Sequence, residues 1–315
     1  MIRHKIILDC DPGQDDAVSL LLAMASPDEL EILGITVVAG NVPLALSATN
    51  TQLMCDLAGR SDIKVYPGCD QPMVRKQVTA EHVHGATGIN GFEVTAPVCP
   101  LEQTHAVEFI IDTLRLAEDN SITLLPTGPL TNIATAISKA PEICPKIKQI
   151  VLMGGAMTEA GNITPSAEFN IYVDPHAAEI VFNCSRPITQ FGLDATHQVL
   201  TTRERIEKLR SIDNDPARAI VGMLNFFNRF DMEKYDSLGA PLHDPCTVAY
   251  LLQPELFTGR LCNVSIEVNS ELTLGHTAVD FWHVTDRPLN CNWIHTVDAD
   301  GFYKLLVERI ARFTK

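Results

Sequence analysis

The first 40 residues alternate between a buried strand, a helix and a second buried strand. Residues 5–8 form a short aliphatic run, residues 17–25 an apolar segment of helical length, and residues 30–38 a second aliphatic run that ends at Gly40. This is the pattern of a β-α-β unit, whose two strands lie parallel in one sheet because the connection crosses over it. The chain is therefore predicted to be an α/β protein with an open, mostly parallel, Rossmann-like sheet flanked by helices.

The same alternation continues along the chain. Further strands are predicted at residues 63–66, 122–126, 147–153 and 187–193, and helices at 44–58, 106–118, 130–139 and 174–183. Because no internal repeat or long linker interrupts this pattern, residues 1–315 are predicted to form a single domain.

Two segments break the alternation. Residues 82–100 are rich in glycine and proline, as in a mobile loop, and residues 225–244 begin as an aromatic-rich helix and end in a turn. Segments of this kind often close over binding sites in α/β proteins.

Composition and charge limit the possible partners. A formal net charge of −15 argues against non-specific nucleic-acid binding, which needs a basic surface. The first apolar run stops after Leu8, and no apolar stretch approaches the roughly 18 residues of a membrane span. The nine cysteines are scattered, with no C-x-x-C pair, which indicates free thiols and a cytoplasmic location.

An acidic turn follows the first strand. Residues 9–16 read DCDPGQDD and place four aspartates at the carboxyl end of a buried strand, where open α/β sheets bind ligands. Carboxylates this close repel each other, and a divalent cation would relieve the repulsion. Oxygen ligands favour calcium or magnesium over zinc, and the turn alone does not distinguish these two. Alternatively, Asp15 and Asp16 only cap the next helix, which would explain two of the four aspartates.

Other polar positions are ambiguous when each is considered alone. Asn41 follows Gly40 and could be a simple turn residue. Glu168 and Asn170 are two positions apart, so both would lie on one face of an extended segment, facing either a ligand or solvent. His243 and Asp244 lie at the edge of an apolar segment, although they could be a surface pair.

Taken together, these motifs resemble the inosine–uridine-preferring nucleoside hydrolases, whose signature D-x-D-P-G-x-D-D matches residues 9–16. The resemblance covers essentially the whole chain, and its other motifs occur in the family's order: VAGN at 38–41, HG at 84–85, PTGPLTN at 126–132, VLMGG at 151–155, GN at 161–162, AEFN at 167–170, DP at 174–175, GLD at 192–194 and HDP at 243–245.

The resemblance implies hydrolysis of the N-glycosidic bond of a ribonucleoside to ribose and free base. It implies a Ca²⁺ site formed by Asp11, Asp16, Asp244 and the backbone carbonyl of Thr127, with Asp11 as the general base for a Ca²⁺-bound water. His243 would be the acid for the leaving base. The ribose-binding residues would be Asp15, Asn41, Asn162, Glu168 and Asn170. The nucleobase pocket would contain His84, Phe169, Phe227 and Tyr235.

Finer features concern the substrate and the assembly. The segments GAPLHDPCT (239–247) and LGHTAVDF (274–281) are most like those of bacterial pyrimidine-preferring members, so a preference for uridine and cytidine is expected, with cleavage of purine nucleosides left open. The family usually forms homodimers or homotetramers, and a homo-oligomer is expected here.

Two positions depart from the family's pattern. Gln14 stands where relatives often have His, Leu or Thr, and metal binding is expected to survive this change. Ala86-Thr87 replaces a Glu followed by Ser or Thr, which is expected to loosen the loop or alter its closure.

Two other functions remain open from sequence. A phosphatase of the haloacid dehalogenase type also has Asp-x-Asp after its first strand, but Asp15 and Asp16 do not fit that class. A non-catalytic nucleoside binder could keep the fold, but the complete set of acidic residues argues against it.

Overall fold

The computed structural model describes residues 3–235 and 237–314, with side chains in these ranges except at positions 231, 234 and 235. The strands are β1 (His4–Cys10), β2 (Leu30–Val37), β3 (Val65–Pro67), β4 (Ile122–Pro126), β5 (Ile147–Met153), β6 (Ile188–Phe191), β7 (Phe257–Ile266), β8 (Thr277–Asp280) and β9 (Cys291–Val297).

The helices cover both faces of the sheet. They are α1 (Gln14–Met24), α2 (Leu44–Leu57), α3 (Glu81–His84), α4 (Ala106–Leu116), α5 (Thr131–Lys139), α6 (Phe169–Val173), α7 (Pro175–Phe182), α8 (Leu193–Thr196), α9 (Arg203–Arg210), α10 (Asp215–Tyr235), α11 (Pro245–Leu252) and α12 (Ala299–Ile310). Short 3₁₀ helices occur at Pro141–Lys146 and Pro254–Leu256.

In the described part of the chain, the strands form one nine-stranded sheet in the order β3-β2-β1-β4-β5-β6-β9-β7-β8. All pairs from β3 to β9 in this order are parallel, and β7 is antiparallel to both β9 and β8. The predicted α/β fold with a mostly parallel sheet is therefore confirmed. The strand order reverses between β1 and β4, which opens a crevice at their carboxyl ends.

The sequence of β1 explains its central place. Ile6 and Ile7 are fully buried and point to opposite faces, where they join two separate hydrophobic clusters. One cluster lies under helices that include α1 and α12, and the other lies under α4, α5 and α7. A strand covered on both faces needs a continuous aliphatic run, which is the pattern that predicted it.

Most predicted elements are close to the observed ones, and the differences lie mainly near the site. Helix α1 begins at Gln14 rather than at residue 17, because the Asp16 carboxylate accepts a hydrogen bond from the Gly13 amide at 3.1 Å. Helix α10 begins at Asp215 rather than at residue 225. The segment 82–100, predicted as a loop, overlaps helix α3.

A buried amide ties the strand ends together on the crevice side. Asn132, at the start of α5, donates to Asp9 Oδ1 at 2.8 Å and to the Val37 carbonyl at 3.0 Å. Its own oxygen accepts from the Cys69 amide at 2.8 Å. These bonds fix the ends of β1 and β2 relative to the segment after β3.

No helix in the described ranges combines the length and apolarity that a membrane span requires.

Candidate active site

The acidic turn is buried at the carboxyl end of β1. Asp9 and Asp11 are 0% exposed, and Asp15 and Asp16 are 5% and 1% exposed. Asp15 and Asp16 lie in the first turn of α1, and Asp16 does cap this helix through the Gly13 amide. Helix capping is therefore part of the reason for these residues, but it does not explain why the whole turn is buried.

Asp244 joins this turn from a distant part of the chain. It is the N-cap residue of α11, and one carboxylate oxygen from each of Asp15, Asp16 and Asp244 lies within 4.8 Å of the others. We call these three residues the acidic triad. It contains Asp15, for which the family resemblance implied a ribose contact, and it does not contain Asp11.

Asp11 lies beside the acidic triad. Its Oδ2 accepts from the Asn41 amide at 2.7 Å, and the Asn41 side chain donates to Asp16 Oδ2 at 3.3 Å. A Cβ atom on Gly128 would lie 2.4 Å from Asp11 Oδ1, so only glycine lets the backbone approach this carboxylate. A Cβ atom on Gly40 would lie 2.0 Å from Asp11 Oδ2, so Gly40 and Asn41 both pack against this carboxylate and do more than form a turn.

Thr127 follows β4 and faces the same site from across the crevice. Its hydroxyl donates to Asp16 Oδ1 at 2.7 Å, and its carbonyl accepts from Asn170 Nδ2 at 2.7 Å. A carbonyl oxygen has two lone pairs, so one remains for another partner.

Burial and mutual repulsion dominate the electrostatics. Burial first, and then the charge of Asp16, raises the pKa of Asp15 to about 7. The same two causes raise the pKa of Asp11 well above its usual range, and burial with the charges of Asp15 and Asp16 does so for Asp244. The Oδ1 atoms of Asp11 and Asp15 are buried without a hydrogen-bond partner among the described residues.

This donor set fits a hard divalent cation. Buried carboxylates are normally paired or bound to metal, and Asp11 and Asp15 each have one buried oxygen without a partner among the described residues. The available donors are all oxygens, which suits calcium or magnesium.

A cavity of about 580 Å³ opens above the acidic triad. Most of the predicted site residues line it, and the set is Asp15, Asn41, His84, Thr127, Asn162, Glu168, Phe169, Asn170, Phe227, His243 and Asp244. Asp11 and Asp16 lie beneath the lining. The Tyr235 side chain, predicted for the base pocket, is outside the described residues.

Glu168 and Asn170 do face one cavity, but the predicted extended segment is wrong. Glu168 is the N-cap residue of helix α6, and its carboxylate accepts from the amides of Asn170 at 2.9 Å and Gly155 at 3.0 Å. The unpaired amides at a helix start attract a carboxylate, and this competes with strand formation. Asn162 Oδ1 accepts from the Phe169 amide at 2.8 Å and fixes the same turn.

One side of the cavity is aromatic. His84 stacks on Phe227 of α10, with ring centroids 5.4 Å apart and an interplanar angle of 19°. Phe169 is buried and packs with Ala80 and Val173. His82 is exposed and also lines the cavity.

His243 is a partly buried, neutral histidine. Its Nδ1 lies 2.8 Å from Thr196 Oγ1. Burial lowers its pKa to about 3, and His197 and His84 contribute in the same direction. The ring therefore carries no charge at neutral pH in the free protein.

Sequence analysis missed several lining residues. His197 and Glu159 form a pair at the rim, with Nδ1 and Oε2 3.1 Å apart, and both line the cavity. The only signal for His197 was its position soon after the Gly192–Asp194 motif. Met153, Leu200 and Pro241 add apolar lining.

Buried carboxylates with unpaired oxygens thus lie beneath a polar cavity at the crevice of an α/β sheet, as in an enzyme that binds a metal ion. The sequence profile of the family described as inosine-uridine preferring nucleoside hydrolase matches residues 6–304. The chain therefore belongs to this family of enzymes, which hydrolyse N-glycosidic bonds of ribonucleosides.

Three known proteins illustrate the similarity. A pyrimidine-specific ribonucleoside hydrolase, RihA, of Shewanella is 46% identical over 314 residues, covering 99% of this chain and 98% of that protein. The plant nucleoside hydrolase PpNRh1 has a TM-score of 0.92 and 32% identity, with coverage of 98% and 99%. The purine-preferring ribonucleoside hydrolase from Gardnerella vaginalis has a TM-score of 0.90 and 34% identity, with 98% of both chains covered.

The resemblance inferred from sequence is thus confirmed. The family is metal-dependent, and the buried acidic triad provides a place for the metal. The phosphatase alternative is not retained.

The raised carboxylate pKa values predict how pH and metal affect stability. The pKa of Asp15 is about 7 in the metal-free fold, against roughly 3.9 in an unfolded chain. The native state then binds more protons than the unfolded state between these values, so the free energy of unfolding falls as pH rises from about 4 to about 7. A cation on the carboxylates should reverse this loss.

We expect Ca²⁺ to raise Tm by about 5 °C over chelated protein at pH 7.5, and by less at pH 5. Differential scanning calorimetry with Ca²⁺ or chelator at the two pH values measures this. Equal Tm values at pH 7.5 would contradict a metal site on these carboxylates.

Proposed function

We propose that this enzyme hydrolyses uridine and cytidine to ribose and free pyrimidine, with Ca²⁺ held by Asp11, Asp16, Asp244 and the Thr127 carbonyl. The observation that carries this proposal is the convergence of buried, partly unpaired carboxylates directly beneath a cavity lined by amides and carboxylates. Asp15 belongs to the acidic triad and also lines the cavity, so it can face both the cation and the ribose.

Asp11 is proposed as the general base. When bound, Ca²⁺ would make water at this site more acidic. Asp11 Oδ2 is occupied by the Asn41 amide, whereas Oδ1 has no partner among the described residues and can accept a proton. Because Asn41 and Gly128 hold this carboxylate in place, little reorganisation is needed for proton transfer.

The ribose is proposed to lie against Asp15, Asn41, Asn162, Glu168 and Asn170. Asn170 donates through Nδ2 to the Thr127 and Met153 carbonyls, and this orients its Oδ1 as a hydroxyl acceptor. Glu168 is held by backbone amides, so its position is fixed before substrate binds. Carboxylates and amide oxygens around the sugar also stabilise the positive charge that develops when the glycosidic bond breaks.

His243 is proposed to assist departure of the base. The neutral imidazole can first donate a hydrogen bond to the base. Negative charge that develops on the leaving base then raises the pKa of the ring, so the ring takes up a proton from solvent and passes its Nε2 proton to the base. Thr196 fixes the ring orientation through Nδ1, so Nε2 is the nitrogen left for the base.

The proposed pyrimidine preference is supported by similarity to a pyrimidine-specific enzyme. The pyrimidine-specific RihA shares 46% identity with this chain, whereas the purine-preferring Gardnerella enzyme shares 34%. The stacked His84–Phe227 pair gives the cavity a flat aromatic face suited to a planar base.

Further features of the proposal concern the molecule as a whole. We infer that residues 1–315 form one domain and that the enzyme is a cytoplasmic homodimer or homotetramer. All nine cysteines are free thiols, which supports a location in the reducing cytoplasm. Light scattering of the purified protein measures the subunit number.

A panel of nucleosides tests the substrate class. We expect uridine and cytidine to release ribose at least tenfold faster than inosine, a difference of about 1.4 kcal/mol. A chelator should abolish release, and added Ca²⁺ should restore it. Faster cleavage of inosine would contradict the pyrimidine preference, and no ribose from any nucleoside would contradict the function.

Replacing Asp11 tests the general base. We expect Asp11→Asn to lower kcat by about 10²–10⁴, because proton removal from water is lost. Asp62→Asn, at an exposed carboxylate, is the control and should keep normal activity. Near-normal turnover by Asp11→Asn, with an unchanged far-UV spectrum, would rule out this role.

A third variant tests the leaving-group role of His243. We expect His243→Ala to lower kcat on uridine by about 10²–10⁴ but to leave hydrolysis of an activated nitrophenyl riboside nearly unchanged, because nitrophenolate leaves without protonation. His283→Ala, at an exposed histidine, is the control. Equal losses on both substrates would show that His243 acts in another way.

A further inference from the structure

Gln14 is a buried polar residue that the chemistry above does not use. It is the first residue of α1 and is 0% exposed. Its Nε2 donates to the carbonyls of His84 at 2.8 Å and Asn90 at 3.2 Å, and its Oε1 lies 2.7 Å from His84 Nδ1. Every polar atom of this side chain is therefore committed to the segment that carries His84.

These contacts determine where the proton of His84 lies. Carbonyl oxygens only accept hydrogen bonds, so the amide nitrogen of Gln14 must face the two carbonyls. Its Oε1 then faces His84 Nδ1 and has no hydrogen to give, so Nδ1 must be the donor. Because burial lowers the pKa of His84 to about 3, the ring is neutral and Nε2 carries a lone pair.

The opposite nitrogen of the ring is available to a ligand. His84 lines the cavity and stacks on Phe227, and within the described ranges its Nε2 has no hydrogen-bond partner. Gly13 makes this close approach possible, since a Cβ atom there would lie 2.5 Å from His84 Nδ1.

The segment around His84 is tied to the acidic turn at a second point. Asn50 Nδ2 donates to the Pro12 carbonyl at 3.0 Å and to the Thr87 carbonyl at 2.8 Å. Asn90 Oδ1 in turn accepts from the Thr87 amide at 3.1 Å. These bonds hold the segment that contains Ala86-Thr87, and they fix the ring of His84 relative to the acidic turn.

We propose that Gln14 is a positioning residue that holds His84 as the Nδ1–H tautomer, so that Nε2 recognises a hydrogen-bond donor on the nucleoside. The donor is an N–H of the base or the 5′-hydroxyl, which share this chemistry. The inference rests on the proposed function. It adds how the enzyme recognises one polar group of its nucleoside substrate. Nε2 accepts a hydrogen bond from a hydroxyl or an N–H, whereas a methyl group at the same place leaves the lone pair of Nε2 without a donor.

The first test reads the tautomer directly. In ¹⁵N NMR spectra of the histidine rings, with the His84 signal assigned by its loss in His84→Gln, the wild type should show protonated Nδ1 and unprotonated Nε2. Gln14→Met has similar length and no amide, and it should shift the ring toward the Nε2–H tautomer. A wild-type ring protonated at Nε2 would overturn the inference.

The second test asks which donor group of the substrate is recognised by His84 Nε2. Uridine is compared with 3-methyluridine, which lacks the base N–H, and with 5′-deoxyuridine, which lacks the hydroxyl. In the wild type, the analogue without the recognised donor should lose about five- to tenfold in kcat/KM relative to uridine. In Gln14→Met, kcat/KM for uridine should fall by a similar factor relative to the wild type. The kcat/KM for the same analogue should then be no lower than that for uridine.

A matched control separates positioning from simple loosening of the segment. Asn90→Ala removes a bond within the same segment but keeps the Gln14–His84 contact, so it should retain both the Nδ1–H tautomer and the analogue penalty. Penalties of equal size in the wild type and in Gln14→Met would overturn the inference. If the wild type released no ribose at all, the proposed function would fail. The role of Gln14 would then be decided by NMR: a shift of the His84 Nε2 signal on adding uridine would support it, and an unchanged signal would overturn it.

Discussion

Negative charge buried at the carboxyl end of β1 sets the requirements for the surrounding structure. Burying one unpaired carboxylate costs several kcal/mol, and here burial and the charge of Asp16 raise the pKa of both Asp11 and Asp244. Asn41 and the Gly13 amide donate to this group, and the close backbone at Gly128 excludes larger side chains. Hydrogen bonds offset only part of the cost of burying this charge, and a cation bound here would offset more of it.

The strands that the sequence predicted well are those covered on both faces. β4 and β5 have the predicted bounds because each contains a buried apolar run, at 124–125 in β4 and at 150–153 in β5, between two layers of helices. β7 was not predicted, because its first half is largely exposed and contains Gly259 and Arg260, which do not indicate a strand. Antiparallel hydrogen bonds to β9 stabilise β7 as a strand, although its own sequence does not predict one.

The candidate site shows a similar division. Residues within one motif could be placed together from sequence, since Asp11 and Asp16 share a single turn. The roles of Gln14 and His197 could not be predicted, because each depends on a contact with a distant segment. Glu168 shows a third case: its spacing from Asn170 suggested a strand, but a helix start, with its unpaired amides, also brings both side chains to one cavity.

The charges around the cavity explain why a nucleoside suits it better than a nucleotide. The floor carries Asp15 and Asp244, the walls carry Glu159 and Glu168, and no lysine or arginine is among the described lining residues. His84 and His243 are both neutral, since burial lowers the pKa of each to about 3. A phosphate group would therefore meet carboxylates without a fixed positive partner, whereas neutral hydroxyls can donate to the same carboxylates. One divalent cation would offset much of the charge of the floor, so the loaded site matches an uncharged sugar and base.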